Sequence, residues 1–139
     1  MSDKSFVDTN VLIHAHGIDA KAKHDIAKTG LRQLWNRRTG VPSMQVLQEF
    51  YVHVTPKIAS PLSRETAHLV VNSYAIRCME TAASEIAAAF RIEEESGIGF
   101  WDAPTVAAAA KSGAVPIISE DLKAKQMTAG ISLENPFAR

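Results

Sequence analysis

Six aspartates are spread along the chain, at positions 3, 8, 19, 25, 102 and 121. Three of them stand where chemistry is feasible. Asp8 ends the apolar stub of "SFVDTNVLIHA", Asp102 follows the glycine-containing turn "GIGFWD", and Asp121 comes just after the apolar run "VPIIS". If both apolar runs are parallel strands, Asp8 and Asp121 face the carboxyl edge of one sheet, where open α/β sheets bind their ligands. Converging carboxylates repel one another and resist losing water, which raises their pKa values. A hard divalent cation, Mg²⁺ or Mn²⁺, relieves that repulsion and prefers oxygen ligands. Such a cation activates water and stabilises charge on a phosphate in transfer. Several acids without a His or Cys cluster therefore point to metal-assisted phosphoryl chemistry rather than to zinc.

The same residues suit a plainer role. Aspartate is a favoured helix N-cap, and all three stand at helix starts. Pro104 weakens the case for Asp102, because a proline at the second helical position has no N–H to cap. Glu49 lies opposite the stripe of Leu47, Phe50, Tyr51 and Val54, so pattern alone makes it a solvated side chain. His14 and His16 are two apart and share no helical face. Cys78 reads as a small core residue.

The elements that must position these groups alternate between strand and helix. Residues 4–7 read as a short strand, "TNVLIHAH" as a helix ending near Gly17, and residues 20–38 as a second helix closed by Gly40. "GVPS" gives a very short strand and a cap, with Ser43 opening the helix "SMQVLQEFYVHV". Ser63 starts another helix through "TAHLVVNSYA". "IRCME" is expected as a strand, followed by the Ala-rich helix "TAASEIAAAFRIEEES" up to Gly97. "WDAPTVAAAAKSG" carries an early proline and a terminal glycine, the usual helix asymmetry. "AVPIIS" reads as a buried strand, followed by a short helix from Asp121 and a last strand in "GISLENPF". Short strands between helices predict an α/β fold, a small central parallel sheet flanked by helices.

Length and charge bound the function. The 139 residues suit one domain, 1–139, with a real core, and a hydrophobic share of 46% argues against disorder. Lys plus Arg equals Asp plus Glu at 15 each, so no global basic field exists and any nucleic acid must be met by a local patch. A single cysteine rules out an intrachain disulfide and fits a reducing cytoplasm. No apolar run reaches the roughly 18 residues of a membrane span, and "MSDKSF" has no signal-peptide core.

Five motifs in order, "FVDTNVLI", "MQVLQEFYVHVT", "GFWDAPTVAAA", "PIISEDL" and the closing "NPF", resemble the PIN domain, and more narrowly the VapC-type toxins of toxin–antitoxin pairs. The resemblance runs through nearly the whole chain. It implies a metal-dependent endoribonuclease whose acidic quartet is Asp8, Glu49, Asp102 and Asp121. Asp8, Asp102 and Asp121 would hold Mg²⁺ or Mn²⁺, and Glu49 would complete the site or orient the attacking water. Asn10 and Ser119 are implied as polar supports, and Glu120 as a further assistant, although Asp121 fits the family's last motif better. The products would carry a 5′-phosphate and a 3′-hydroxyl. The resemblance also implies an antitoxin partner and a homodimer.

An acidic site repels RNA, so cations must flank it. Arg37, Arg38, Lys57, Arg64 and Lys123 are the candidates for backbone contact. Trp35 and Trp101 could stack bases but suit packing better. Two alternatives stand beside this reading. A haloacid-dehalogenase-like phosphatase would also place an Asp after a strand, but it needs a second Asp where Asn10 stands. A PIN-type module that binds RNA or protein without cutting is the other.

Overall fold

The computed structural model describes residues 4–17, 22–55, 62–78, 83–97, 103–113, 116–120, 127–128 and 131–137. Its centre is a sheet of five short strands: β1 (Ser5–Val7), β2 (Gly40–Val41), β3 (Ile117–Ile118), β4 (Met127–Thr128) and β5 (Ile131–Glu134). Their spatial order is β2-β1-β3-β5-β4. β1 lies parallel to both β2 and β3, with Phe6 opposite Val41 on one side and Ile117 on the other. β5 is parallel to β3, and only β4 runs antiparallel, against β5. The expected parallel sheet is therefore present, with one antiparallel edge strand. β4 was not expected from the sequence, since a two-residue strand carries no readable period.

Among the described residues, six helices flank the sheet: α1 (Thr9–His16), α2 (Ala22–Asn36), α3 (Met44–Val54), α4 (Arg64–Ala75), α5 (Ser84–Ser96) and α6 (Ala103–Ser112). Phe6, Val7 and Ile117 lose all contact with solvent, as expected for strands covered on both faces. α1 packs on α2 and α3, α3 on α4, and α5 on α6. The α3 stripe is confirmed in part: Leu47, Phe50 and Val54 are buried, and Tyr51 is half-buried. In α6, Ala107, Ala108 and Ala109 are buried, so small side chains let this helix approach its neighbours closely.

Local chemistry sets most helix ends. Ser43 Oγ accepts from Val46 N at 3.2 Å, and Ser63 Oγ accepts from Thr66 N at 3.1 Å, so both serines cap as expected. Gly97 closes α5 in the left-handed region, at φ 68°. The end of α2 differs from expectation. The helix stops at Asn36, and Arg38, at φ 59°, takes the left-handed position of the turn. Gly40 is instead the first residue of β2. A Cβ placed there would lie 2.3 Å from Cζ3 of Trp35, so glycine is required by the close approach of that ring. The strand expected in "IRCME" is not formed by its described residues: Ile76 and Arg77 make a turn after α4, and Cys78 belongs to no strand. Backbone N–H groups of Arg77 and Cys78 donate to the carbonyls of Tyr74 and Ala75, which ends the helix rather than starting a ladder. The short helix expected from Asp121 falls outside the described residues.

Candidate active site

The carboxyl ends of β1 and β3 lie side by side. Asp8 N donates to the Ile118 carbonyl at 3.0 Å, which continues the pairing of the two strands by one residue. Asp8 then caps α1: its Oδ1 accepts from Thr9 N at 2.8 Å. Its Oδ2 accepts from the hydroxyl of Ser119, the first residue past β3, at 2.7 Å. Ser119 is buried, and its own N–H is bonded to the Glu134 carbonyl of β5. One carboxylate thus holds a helix start and a strand end together.

Glu49 reaches the same corner from α3. Thr9 donates its hydroxyl to Glu49 Oε2 at 2.9 Å, and Gln45 Nε2 donates to Oε1 at 2.9 Å. Thr9 therefore binds both acids, Asp8 through its backbone N–H and Glu49 through its side chain. Asn10 Oδ1 accepts from Glu120 N at 3.0 Å, and its Nδ2 lies 3.5 Å from Ser119 Oγ, which ties α1 to the segment after β3. A cavity of about 490 Å³ opens here, with Thr9, Asn10, Ile13, Glu49, Val52 and His53 among its walls.

Glu120 is engaged elsewhere. His14 Nε2 lies 2.6 Å from its Oε2, and Lys23 pairs with Oε1. Burial alone would raise its pKa, but the hydrogen bonds and charges of Lys23 and His14 outweigh that and hold it below the ordinary carboxylate value. Its side chain anchors α1 and α2 to the β3 edge.

Among the sequence candidates, the structure brings Asp8, Asn10, Glu49, Ser119 and Glu120 into one network. Asp102 and Asp121, together with Lys57, Lys123 and Trp101, lie outside the described residues. Arg37 and Arg38 are exposed in the turn after α2. The next residue, Thr39, accepts from Ser5 N at the start of β1, so this turn sits three strand residues, roughly 10 Å, from Asp8. Arg64 is the exposed first residue of α4. Trp35 packs edge-on against Tyr74, with ring centroids 5.0 Å apart, in keeping with a structural role. Thr9 and Lys23 were not singled out from the sequence, and His14 was weighed only with His16 as a pair that shares no helical face. Of the first two, Thr9 alone left a trace, as the residue next to a capping aspartate.

The donor set suits a hard cation. Asp8, Glu49, Asn10 and Ser119 present carboxylate, amide and hydroxyl oxygens, the ligands a hard cation prefers. Among the described residues, no three acids or histidines stand close enough to hold a metal ion by themselves.

The PIN-domain family model matches residues 5–129, the span that contains every element from β1 to β4. The chain belongs to the PIN-domain family. No curated protein sequence matches it. Solved PIN-fold structures resemble it over most of their length. A toxin–antitoxin complex from Klebsiella pneumoniae superposes with a TM-score of 0.68 at 17% identity, covering 96% of this chain and 98% of the other. DNA-bound VapBC from Salmonella typhimurium gives 0.66 at 21% identity, covering 98% and 99%. VapC20 of Mycobacterium tuberculosis, a sarcin–ricin-loop-cleaving toxin, gives 0.59 at 19% identity, covering 80% and 85%. PIN membership sets aside the phosphatase alternative. Asn10, the residue that argued against it, is spent on holding Glu120 N.

Proposed function

We propose that this PIN domain is a metal-dependent endoribonuclease and the toxin of a toxin–antitoxin pair. The observation that carries the reading is the joining of Asp8 and Glu49 through Thr9 at the carboxyl edge of β1 and β3. The two acids come from distant parts of the sequence and meet where an α/β sheet binds its ligand. Capping alone explains Asp8, but it does not explain why an exposed Glu49 should be held toward it.

Asp8 would hold Mg²⁺ or Mn²⁺ with Asp102 and Asp121. Asp121 follows Glu120 directly, and the backbone of Glu120 is already fixed to Asn10. When bound, the cation supplies Lewis acidity and offsets the charge of the phosphate. Ser119 and Thr9 N fix the Asp8 carboxylate, so little reorganisation is needed when substrate arrives. Glu49, steadied at both oxygens, orients the attacking water and accepts its proton. The water oxygen bonds to phosphorus, and the bond to the 3′-oxygen breaks as that oxygen takes a proton from solvent. That leaves a 5′-phosphate and a 3′-hydroxyl. A single-stranded or looped RNA segment suits the cavity, because its backbone can bend into the site.

An antitoxin partner is supported by the VapBC and toxin–antitoxin complexes that share the fold. Large apolar side chains left exposed on α3, α4 and α5, such as Val52, Leu69, Ile86 and Phe90, leave surface for that partner and for a second copy of the chain. Among the described residues no helix is long and apolar enough to cross a membrane. The cytoplasm is the compartment assigned, on the strength of the single cysteine.

The test compares cleavage of structured RNA by wild type and Asp8→Asn, with Mg²⁺ or Mn²⁺ and with EDTA. Wild type should cut only with metal, and the variant should not cut. Equal cutting by both would overturn the assignment to this site. RNA binding without cutting by wild type would favour the non-catalytic module.

A further inference from the structure

A second cavity, also about 490 Å³, lies between α1, α2 and α4. Its walls include His16 of α1, His24, Lys28, Arg32 and Trp35 of α2, and Tyr74 of α4, and none of the described residues that line it is acidic. His24, Lys28 and Arg32 follow one another four residues apart, so they stand in a row on one face of α2. Neither Lys28 nor Arg32 forms an ion pair among the described residues. In a chain with as many acids as bases, a concave surface lined by unneutralised cations draws an anion. The electrostatics agree: burial is the main cause that lowers the pKa of His16, and the charges of His24 and Lys28 lower it further.

The row begins beside the candidate active site. Lys23, the residue before His24, pairs with Glu120, and His24 Nδ1 donates to the carbonyl of His14, whose ring meets the same Glu120. From His24 to Arg32 the helix covers roughly 12 Å, leading away from that junction. Cations repeating along a line that starts at a phosphodiester site match a ligand whose phosphates also repeat. Aromatic rings at Trp35 and Tyr74 add a wall suited to a base beside the phosphate.

We propose that this cavity is a phosphate subsite for the RNA strand running from the active site along α2, with Lys28 and Arg32 making the backbone contact. The proposal rests on the ribonuclease reading for its choice of ligand. An acidic protein segment is the rival occupant. RNA is favoured because the row is continuous with the site where the backbone is cut.

The experiment measures binding rather than cleavage. A short fluorescein-labelled single-stranded RNA is titrated with Asp8→Asn protein, and with the same protein carrying Lys28→Ala and Arg32→Ala, in Mg²⁺ at several salt concentrations. Both side chains are exposed, and thermal melting verifies that the fold survives. Removing two phosphate contacts should weaken binding roughly ten-fold at low salt and flatten the logarithmic salt slope by about 1.4. Arg91→Ala, on α5, should leave both unchanged. The Trp35 indole N–H resonance should move on adding RNA to Asp8→Asn protein but not to the triple variant.

Unchanged affinity and slope would overturn the subsite, as would an equal loss in Arg91→Ala. A loss seen only for a poly-glutamate peptide would assign the cavity to a protein segment and overturn it too. Wild-type protein that binds RNA through Lys28 and Arg32 without cutting it sinks the ribonuclease reading and leaves the subsite standing. Protein that cuts RNA while its binding ignores these residues sinks the subsite alone.

Discussion

Replacing Thr9 with valine tests the architecture of the site through one atom. Thr9 is 7% exposed, and valine keeps its shape and its backbone N–H, so the Asp8 cap at 2.8 Å survives. What disappears is the hydroxyl that donates to Glu49 Oε2 at 2.9 Å. A hydrogen bond to a charged group is worth about 1.5–3 kcal/mol. Glu49 is exposed and Gln45 still holds its other oxygen, so the lower end applies, about 1.5 kcal/mol. If that bond keeps Glu49 oriented during catalysis, kcat should fall about ten-fold with little change in KM. The melting temperature should move by less than about 5 °C. Thr9→Ser keeps the hydroxyl and should retain most activity. Steady-state cleavage of a fluorogenic RNA by wild type, Thr9→Val and Thr9→Ser reads this directly. Full activity in Thr9→Val would refute the bridge as a functional contact. A loss in Thr9→Ser beside full activity in Thr9→Val would show that the methyl packing matters and the hydroxyl does not.

Other consequences follow from individual contacts. Gly40→Ala places a methyl 2.3 Å from the Trp35 ring, and overpacking of this kind should cost about 1–3 kcal/mol, read as a lower urea midpoint with an unchanged m-value. His16 is held below its usual 6.5 by burial, and its Nε2 is hydrogen-bonded at 2.6 Å to the Tyr74 hydroxyl, which burial pushes up to about 12. The unfolded chain therefore takes up a proton there more readily than the folded one. That contribution to stability is full above pH 6.5 and fades as pH falls below it, so His16→Gln should lose less stability than wild type as pH falls below 6.5. Glu120 has a lowered pKa, so its contribution is full above 4.5 and is lost as pH falls through the lower folded value. Glu120→Gln should remove that part of acid unfolding, measured by thermal melts below pH 4.5.

The sequence carried the fold wherever a period or a cap could be read. Helix α3 was legible because four apolar residues repeat at helical spacing, and α4 because Ser63 opens it. β4 and the turn at Ile76 and Arg77 were not legible. Two-residue strands have no period, and a run such as "IRCME" looks strand-like until the end of a helix claims its N–H groups. The site was legible in its types and not in its joins. Glu49 sits on the polar side of α3, and nothing in its own helix says what it faces. Only the packing of α1 on α3, which brings Thr9 beneath it, settles the matter. Gly40 was misjudged for a similar reason: a glycine after a helix usually closes it, but here the helix ends earlier and the missing side chain makes room for Trp35.

Asp8 shows why capping and chemistry are not rival explanations. A capping aspartate is fixed at one oxygen by the helix it starts, and its carboxylate is held where the positive end of that helix favours negative charge. In α1 this fixed carboxylate is also the last residue of the β1–β3 pairing, so the cap aims it at the sheet edge. Ser119 then fixes the second oxygen. Rigidity demanded by the helix thus supplies the preorganisation a charged site needs, before any ligand is present. The same economy extends to Thr9, whose backbone serves the cap while its hydroxyl serves Glu49. A change that spares the cap but breaks the second contact separates the two roles, which is why Thr9→Val, and not Asp8→Ala, is the informative substitution.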